Sequence, residues 1–399
     1  MKLGIDRLLN DAQLRSLLDD YRVAILAHPA SMTSGFVHSV DALVASGINL
    51  TAAFGPQHGM RGDKQDNMME TDDAFDAKHH IPVFSLYGKV RQPTAAMLTH
   101  FDLILIDLQD VGCRIYTFLT TLFYLLEACA RTGKHLWVLD RPNPAGRPVD
   151  GLTLQPGFES FVGGAIMPMR HGLTLGEAAQ WYADCRNLDL DLKIVAMEDY
   201  DPTVPPGLGW PLHDLPWVNP SPNMASLNAA RAYAGTVLLE GTTLSEGRGT
   251  TRPLEIVGAP DVEIDTVLQV MQDTAPVWLQ GCKLRPCHFE PTFHKYAGQL
   301  CRGLQIHTDH PSYDHRKFKP FRLIALFLKA LREVYPHYPI WRDFEYEYVK
   351  GRLPIDTING GPTLRNWVDD PDAGIEEFAA NLREDEHAWI EAIAPHLLY

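Results

Sequence analysis

Through the first 150 residues, short apolar runs alternate with stretches in which apolar residues recur every three or four positions. The runs 23–27, 50–54, 82–87, 103–107 and 136–139 have strand length. Each is predominantly apolar, which marks strands buried on both faces. Between them, 37–45 has helical spacing and stops at Gly47, and 115–130 has it again and stops near Gly133. Strands separated by helices predict βαβ units and right-handed crossovers. The result is an α/β fold with an open, mainly parallel sheet covered by helices on both faces.

Farther along, 175–185 reads as a helix, 192–197 as an apolar stretch and 236–240 as a last strand. The segment 199–224, DYDPTVPPGLGWPLHDLPWVNPSPNM, has no periodicity. Its tryptophans and prolines predict an ordered, packed loop with a function. After Pro253 the pattern changes to α+β. An amphipathic helix over 321–334 is closed by Pro336, and Ile375, Phe378, Leu382, Trp389 and Ile393 mark a helical C-terminal region with an acidic outer face. These features predict two domains, 1–257 carrying most of the chemistry and a smaller 258–399.

At 45% hydrophobic and 21% charged residues, the 399-residue chain has a globular composition and enough length for a sizeable core. A net charge of −15 argues against nucleic acid and against an anionic membrane surface as partners. No apolar run reaches membrane-spanning length, and the N-terminus does not read as a secretory signal. Six cysteines without a C-x-x-C pair read as free thiols of a reducing, cytoplasmic compartment. Oligomeric state is not encoded in any of these features.

In an open α/β sheet, ligands bind beyond the carboxyl ends of the strands. The residues just past each predicted strand are His28; Gln57, His58 and Arg61; Asp107, Asp110, Arg114 and Tyr116; Asp140, Arg141 and Asn143; and Glu240, Glu246, Arg248 and Arg252. Five loops carrying polar side chains to one edge predict a pocket. Each residue also has a structural reading: His28 and His58 as hydrogen-bonded core histidines, Asp107 and Asp110 as helix caps, Asp140–Arg141 as an internal ion pair, and Glu240 and Glu246 as partners of arginine. Trp210 and Trp217 either stack on a sugar or fill a gap. His28, His58 and Asp110 could assemble a metal site, but no i, i+4 ligand pair supports it, so no metal is expected. No dinucleotide fingerprint, phosphate loop, zinc-protease motif or nucleophile elbow is present.

The ordered motifs GIDRLL, FGPQHGMRG, FSLYG, IDLQDVGCRIYT, LDRPNP, PGFESFVG, MRHGLT, PSPNM and LLEGTTLSEGRGTTRP closely resemble the exo-β-N-acetylmuramidase family, glycoside hydrolase family 171. The likeness runs from about residue 4 to the FEPTFHKYAGQLCRGLQIH segment and is loose over the last hundred residues. It implies a Rossmann-like first domain, a smaller second domain closing a cleft, and no cofactor. It also implies an activity: release of terminal N-acetylmuramic acid from peptidoglycan fragments in cell-wall recycling.

The chain departs from that family at one place. Where the resemblance implies a catalytic glutamate in Pro-Glu-His-Gly, this chain reads Pro56-Gln57-His58-Gly59. An amide cannot protonate a leaving group as a carboxylic acid does. Two readings follow: a glycosidase with a relocated acid, or a sugar-binding protein or different sugar chemistry on the same pocket. Asp63, Asp66 and Glu70 follow closely, and the candidate acids in order are Glu70, Asp110, Glu246 and Asp107. For the lactyl carboxylate of a muramic-acid sugar, Arg248 between two glycines is the first candidate cation and Arg61 the second.

Overall fold

The computed structural model describes residues 1–62, 64, 68–205 and 207–399. Its strands in chain order are β1 (Val23–Ala27), β2 (Leu50–Gly55), β3 (Ala74–Asp76), β4 (Ile81–Ser85), β5 (Leu103–Asp107), β6 (His135–Leu139), β7 (Asp150–Thr153), β8 (Pro168–Arg170), β9 (Leu192–Val195), β10 (Ile256–Ala259), β11 (Lys283–Phe289) and β12 (Cys301–His307). Seven of them form one sheet in the order β3-β4-β2-β1-β5-β6-β9. All neighbours run parallel except the edge strand β3. The expected mainly parallel α/β sheet is therefore present.

Its centre shows why continuous apolar runs were required. Val23 to Ala27 pairs in register with Leu103 to Asp107, and every residue of both strands is buried. Alternate side chains enter two cores. Ala24, Leu26, Ile104 and Ile106 face one, while Val23, Ile25, Leu103 and Leu105 face the other. The first core continues through the helix Phe118–Thr132 into the C-terminal helix Pro320–Val334, so one apolar body ties both halves of the chain. The helix Phe118–Thr132 ends on Gly133 at φ +63°, a left-handed cap that glycine adopts without steric cost. Thr174 and Glu177 cap the helix Leu175–Cys185 reciprocally.

The apolar run 236–240 is not a strand. It continues the helix Leu227–Thr236 as a 3-10 turn, Val237–Gly241. A short buried run does not by itself distinguish strand from helix. Here the alanine-rich stretch upstream decides, because it is a strong helix former packed on Pro320–Val334. Beyond residue 255, β10, β12 and β11 form a small antiparallel sheet in that order, consistent with the α+β pattern. The tryptophan-rich loop is ordered by its own hydrogen bonds. Trp210 Nε1 donates to the Leu215 carbonyl at 2.8 Å and Trp217 Nε1 to that of Met224 at 3.0 Å. With their rings 5.0 Å apart, these tryptophans fill a gap.

Candidate active site

A small cavity opens beyond the carboxyl ends of β2 and β5. The turn after β2 contributes Gln57 and His58, and the segment after β5 contributes Tyr116 and Thr117. The PSPNM motif supplies Ser221, Asn223 and Met224; the later glycine-rich motif supplies Glu240, Arg248 and Leu254. The last wall, Tyr346 and Glu347, comes from the C-terminal part of the chain.

Glu347 is buried, 5% exposed. Tyr87, just past β4, donates its hydroxyl to both carboxyl oxygens at 3.0 and 2.8 Å. Gln57 Nε2 points at the same carboxyl from 3.5 Å, while its Oε1 accepts from Thr117 Oγ1 at 2.7 Å. Burial pushes the Glu347 carboxyl up to about 7; Tyr87, Arg91 and Gln57 oppose the shift, and Glu240 adds to it. Burial, with the charge of Glu347, lifts the Tyr87 hydroxyl above its ordinary range, so Tyr87 remains a donor. The adjoining Tyr346 donates to Glu240 at 2.6 Å, and Arg248 Nη2 donates to the other oxygen of Glu240 at 2.6 Å. Both walls carry non-glycine residues in the left-handed region: His58 at φ +70°, Glu347 at +48° and Tyr348 at +64°. Such conformations persist where the surroundings impose them, often at functional sites.

Of the residues singled out from sequence, Gln57, His58, Tyr116, Glu240 and Arg248 line this cavity. The others lie elsewhere. His28 is buried behind it, accepting the Gln109 backbone N–H on Nε2 at 2.8 Å; burial holds its pKa well below normal, so it is a neutral structural histidine. Asp107 pairs with Arg141 at 2.6 and 2.9 Å. Arg141 therefore bonds Asp107 and not Asp140, which is instead held by Thr174, Gly176 and Tyr399. Asp110 accepts from the Gly112 N–H at 2.7 Å and faces His171 at 3.3 Å. Arg114 is buried and donates to the carbonyls of Leu152, Met167, Ile358 and Asn359, joining distant segments rather than facing the cavity. Asn143 braces its own loop and the Leu173 carbonyl.

Glu246 sits beneath the cavity between Arg248 and Lys295, at 3.0 and 2.9 Å. Burial raises its pKa, but Lys295, Arg248 and His294 outweigh that and hold it near about 2. Such a group stays ionised and is no proton donor. Arg252 is half exposed beside Glu255. Arg61 lines an open groove with His38, Asp41 and Phe75. Glu70, the first candidate acid, has a side chain 50% exposed and accepts from Tyr348 at 3.1 Å, with Arg91 at 3.5 Å. Asp63 and Asp66 lie outside the described residues. Among the described residues, no group of three or more metal-binding side chains is placed to hold a metal ion, so His28, His58 and Asp110 do not form one.

Arg248, the first candidate for the lactyl carboxylate, lines the cavity with its guanidinium bonded to Glu240 and Glu246. Gly247 and Gly249 have φ +77° and +81°, and a Cβ on Gly249 would strike the backbone of Thr292 and Phe293. The glycines thus permit a tight turn against the chain itself. Sequence reasoning missed Glu347, Tyr87, Thr117 and Tyr346. The signal available was FEYEY at 344–348, carboxylates alternating with aromatic rings, in the part of the chain where motif likeness was loosest.

Comparison with known proteins agrees with this architecture. The family profile described as exo-β-N-acetylmuramidase NamZ, N-terminal, matches residues 23–228, and its C-terminal counterpart matches 231–399. The likeness therefore extends through the last hundred residues. A peptidoglycan β-N-acetylmuramidase NamZ of Bacillus subtilis is 36% identical over 394 residues, covering 95% of this chain and 89% of the relative. Two crystal structures of DUF1343 family proteins from Bacteroides fragilis superpose over 100% of this chain and 98% of each of theirs. Their TM-scores are 0.85 and 0.74, at 27% and 25% identity. With both halves matched in order, the chain belongs to the exo-β-N-acetylmuramidase NamZ family.

Proposed function

We propose that this protein hydrolyses the glycosidic bond of a terminal N-acetylmuramic acid residue in peptidoglycan-derived sugars. The observation that carries the reading is the cavity itself, where Glu240 and Glu347 stand with an amide and several tyrosines at the carboxyl edge of the sheet. Glycoside hydrolysis needs a proton donor and a second polar group around one anomeric carbon. Gln57, His58, Tyr116 and Glu240 face the sugar in this reading, and Arg248 holds Glu240. Walls from both sides of residue 257 support a cleft between the units 1–257 and 258–399. No helix among the described residues is long and apolar enough to cross a membrane. Six cysteines, all free, are in keeping with a cytoplasmic enzyme of cell-wall recycling.

The test is to incubate purified protein with the two disaccharides of N-acetylmuramic acid and N-acetylglucosamine. Free N-acetylmuramic acid is expected only from the one carrying it at the non-reducing end. No release from either disaccharide overturns the proposal.

A further inference from the structure

The position that should carry the acid holds an amide, yet an acid stands beside it. We infer that Glu347 is the proton donor to the glycosidic oxygen, brought to the side of Gln57 by the loop 344–349 from the far end of the chain. The assignment rests on the muramidase reading of the same cavity.

Three observations carry it. The first is placement: the Glu347 carboxyl lines the cavity 3.5 Å from Gln57 Nε2. The second is fixation. Tyr87 grips both oxygens, the backbone sits at φ +48°, and the adjoining Tyr346 and Tyr348 bond Glu240 and Glu70. Three consecutive side chains thus clasp three points within residues 70–240 and set the position of the carboxyl. The third is the division of labour between the two acids. Glu240 is engaged by a guanidinium and a hydroxyl, whereas the hydrogen bonds to Glu347 among the described residues come from neutral groups, Tyr87 and Gln57. Neighbouring carboxyls whose surroundings differ in this way take different protonation roles. The charged and titratable groups around Glu347 are Tyr87 and Arg91 past β4, Glu240 and Arg248 from the central segment, His58 from the β2 turn, and Tyr346 and Tyr348 on its own loop. Burial keeps a proton on Glu347 near neutrality, as an acid catalyst requires.

The step balances without a cofactor. The carboxyl proton passes to the glycosidic oxygen as the C1–O bond breaks, and that oxygen keeps the bonding pair and leaves as an alcohol. Water supplies the new oxygen on C1, and its proton restores the Glu347 carboxyl. Gln57 remains a hydrogen-bonding group between Thr117 and the acid.

The experiment compares wild type and Glu347→Gln on two N-acetylmuramic acid glycosides. One has a sugar or alkyl leaving group; the other has a 2,4-dinitrophenyl group that departs without protonation. For the first substrate, kcat is expected to fall by at least about 100-fold, and for the second by less than about tenfold. Equal losses on both, or no loss on either, overturn the assignment while leaving the muramidase reading intact. A wild type inert on both substrates overturns that reading and the assignment with it. Should Glu347→Gln fail to fold, Tyr87→Phe decides. Removing a donor to the carboxylate raises the acid's pKa, so the alkaline limb of kcat/KM must move to higher pH, and an unmoved limb refutes the inference.

Discussion

Replacing Glu347 by glutamine is expected to stabilise the protein at alkaline pH and to leave its stability unchanged in acid. Glu347 is buried, and its folded-state pKa of about 7 lies above the ordinary 4.5. An acid with a raised pKa binds its proton more tightly in the native state. Stability from this group is therefore intact below about pH 4.5 and lost as pH rises through about 7. A shift of this size amounts to roughly 3 kcal/mol at pH 8, from about 1.4 kcal/mol per pKa unit. Glutamine has the shape of the protonated acid, still accepts from Tyr87, and has no charge to bury. At roughly 2 cal/mol/K per residue, 399 residues unfold with about 0.8 kcal/mol/K, so the variant should melt about 3 to 4 °C above wild type at pH 8. At pH 4.5 the two curves should coincide. Differential scanning calorimetry across pH 4.5 to 8.5 measures the gap directly. A variant that melts lower at pH 8, or with the same offset at every pH, shows that burial of this carboxyl is not what raises its pKa.

Three further outcomes are expected. Gln57→Glu places a second carboxyl beside Glu347, so the pair shares one proton near neutrality; the alkaline limb of the pH–rate profile should move up by at least about one unit, and an unchanged profile would separate the two groups. Glu246→Gln strips the buried partner from Arg248 and Lys295 and should cost about 3–5 kcal/mol in urea unfolding at pH 7. Because the native pKa of Glu246 is depressed to about 2, its contribution holds above about pH 4.5 and fades as pH falls toward 2, so that gap should narrow at pH 3. Arg248→Lys should weaken binding of N-acetylmuramic acid and N-acetylglucosamine by similar factors in calorimetry, since its fork bonds Glu240 and Glu246; a loss confined to the muramic sugar would restore Arg248 as the lactyl clamp.

Much of the fold was legible because the central strands obey one rule. Leu103 to Ile106 is apolar, the whole strand through Asp107 is buried, and Val23 to Ala27 beside it is apolar and buried throughout. The run 236–240 failed because three apolar residues in a row carry no period and the deciding contact, with Pro320–Val334, lies some eighty residues away. The site was legible as loops but not as roles. His28, Asp107 and Asp110 stand at strand ends as expected, yet serve as the inner layer that holds those loops. A buried polar residue and a substrate-facing one look alike in sequence, since both interrupt an apolar run. Glu347 was invisible for a different reason. Nothing near residue 347 says that Gln57 will be its neighbour, because only tertiary packing brings them together.

Gln57 and Glu347 are separated by 290 positions. At roughly 5–20 residues per second of synthesis, the acid emerges from a ribosome about 15 to 60 seconds after the amide it will stand beside. Through that interval the sheet, Tyr87 and the floor of the cavity can form while the group assigned to proton transfer does not yet exist as folded chain. The enzyme would then become competent only when the last quarter of its length has docked. Any nicked or prematurely ended product that stops short of the 344–349 loop would be born inert.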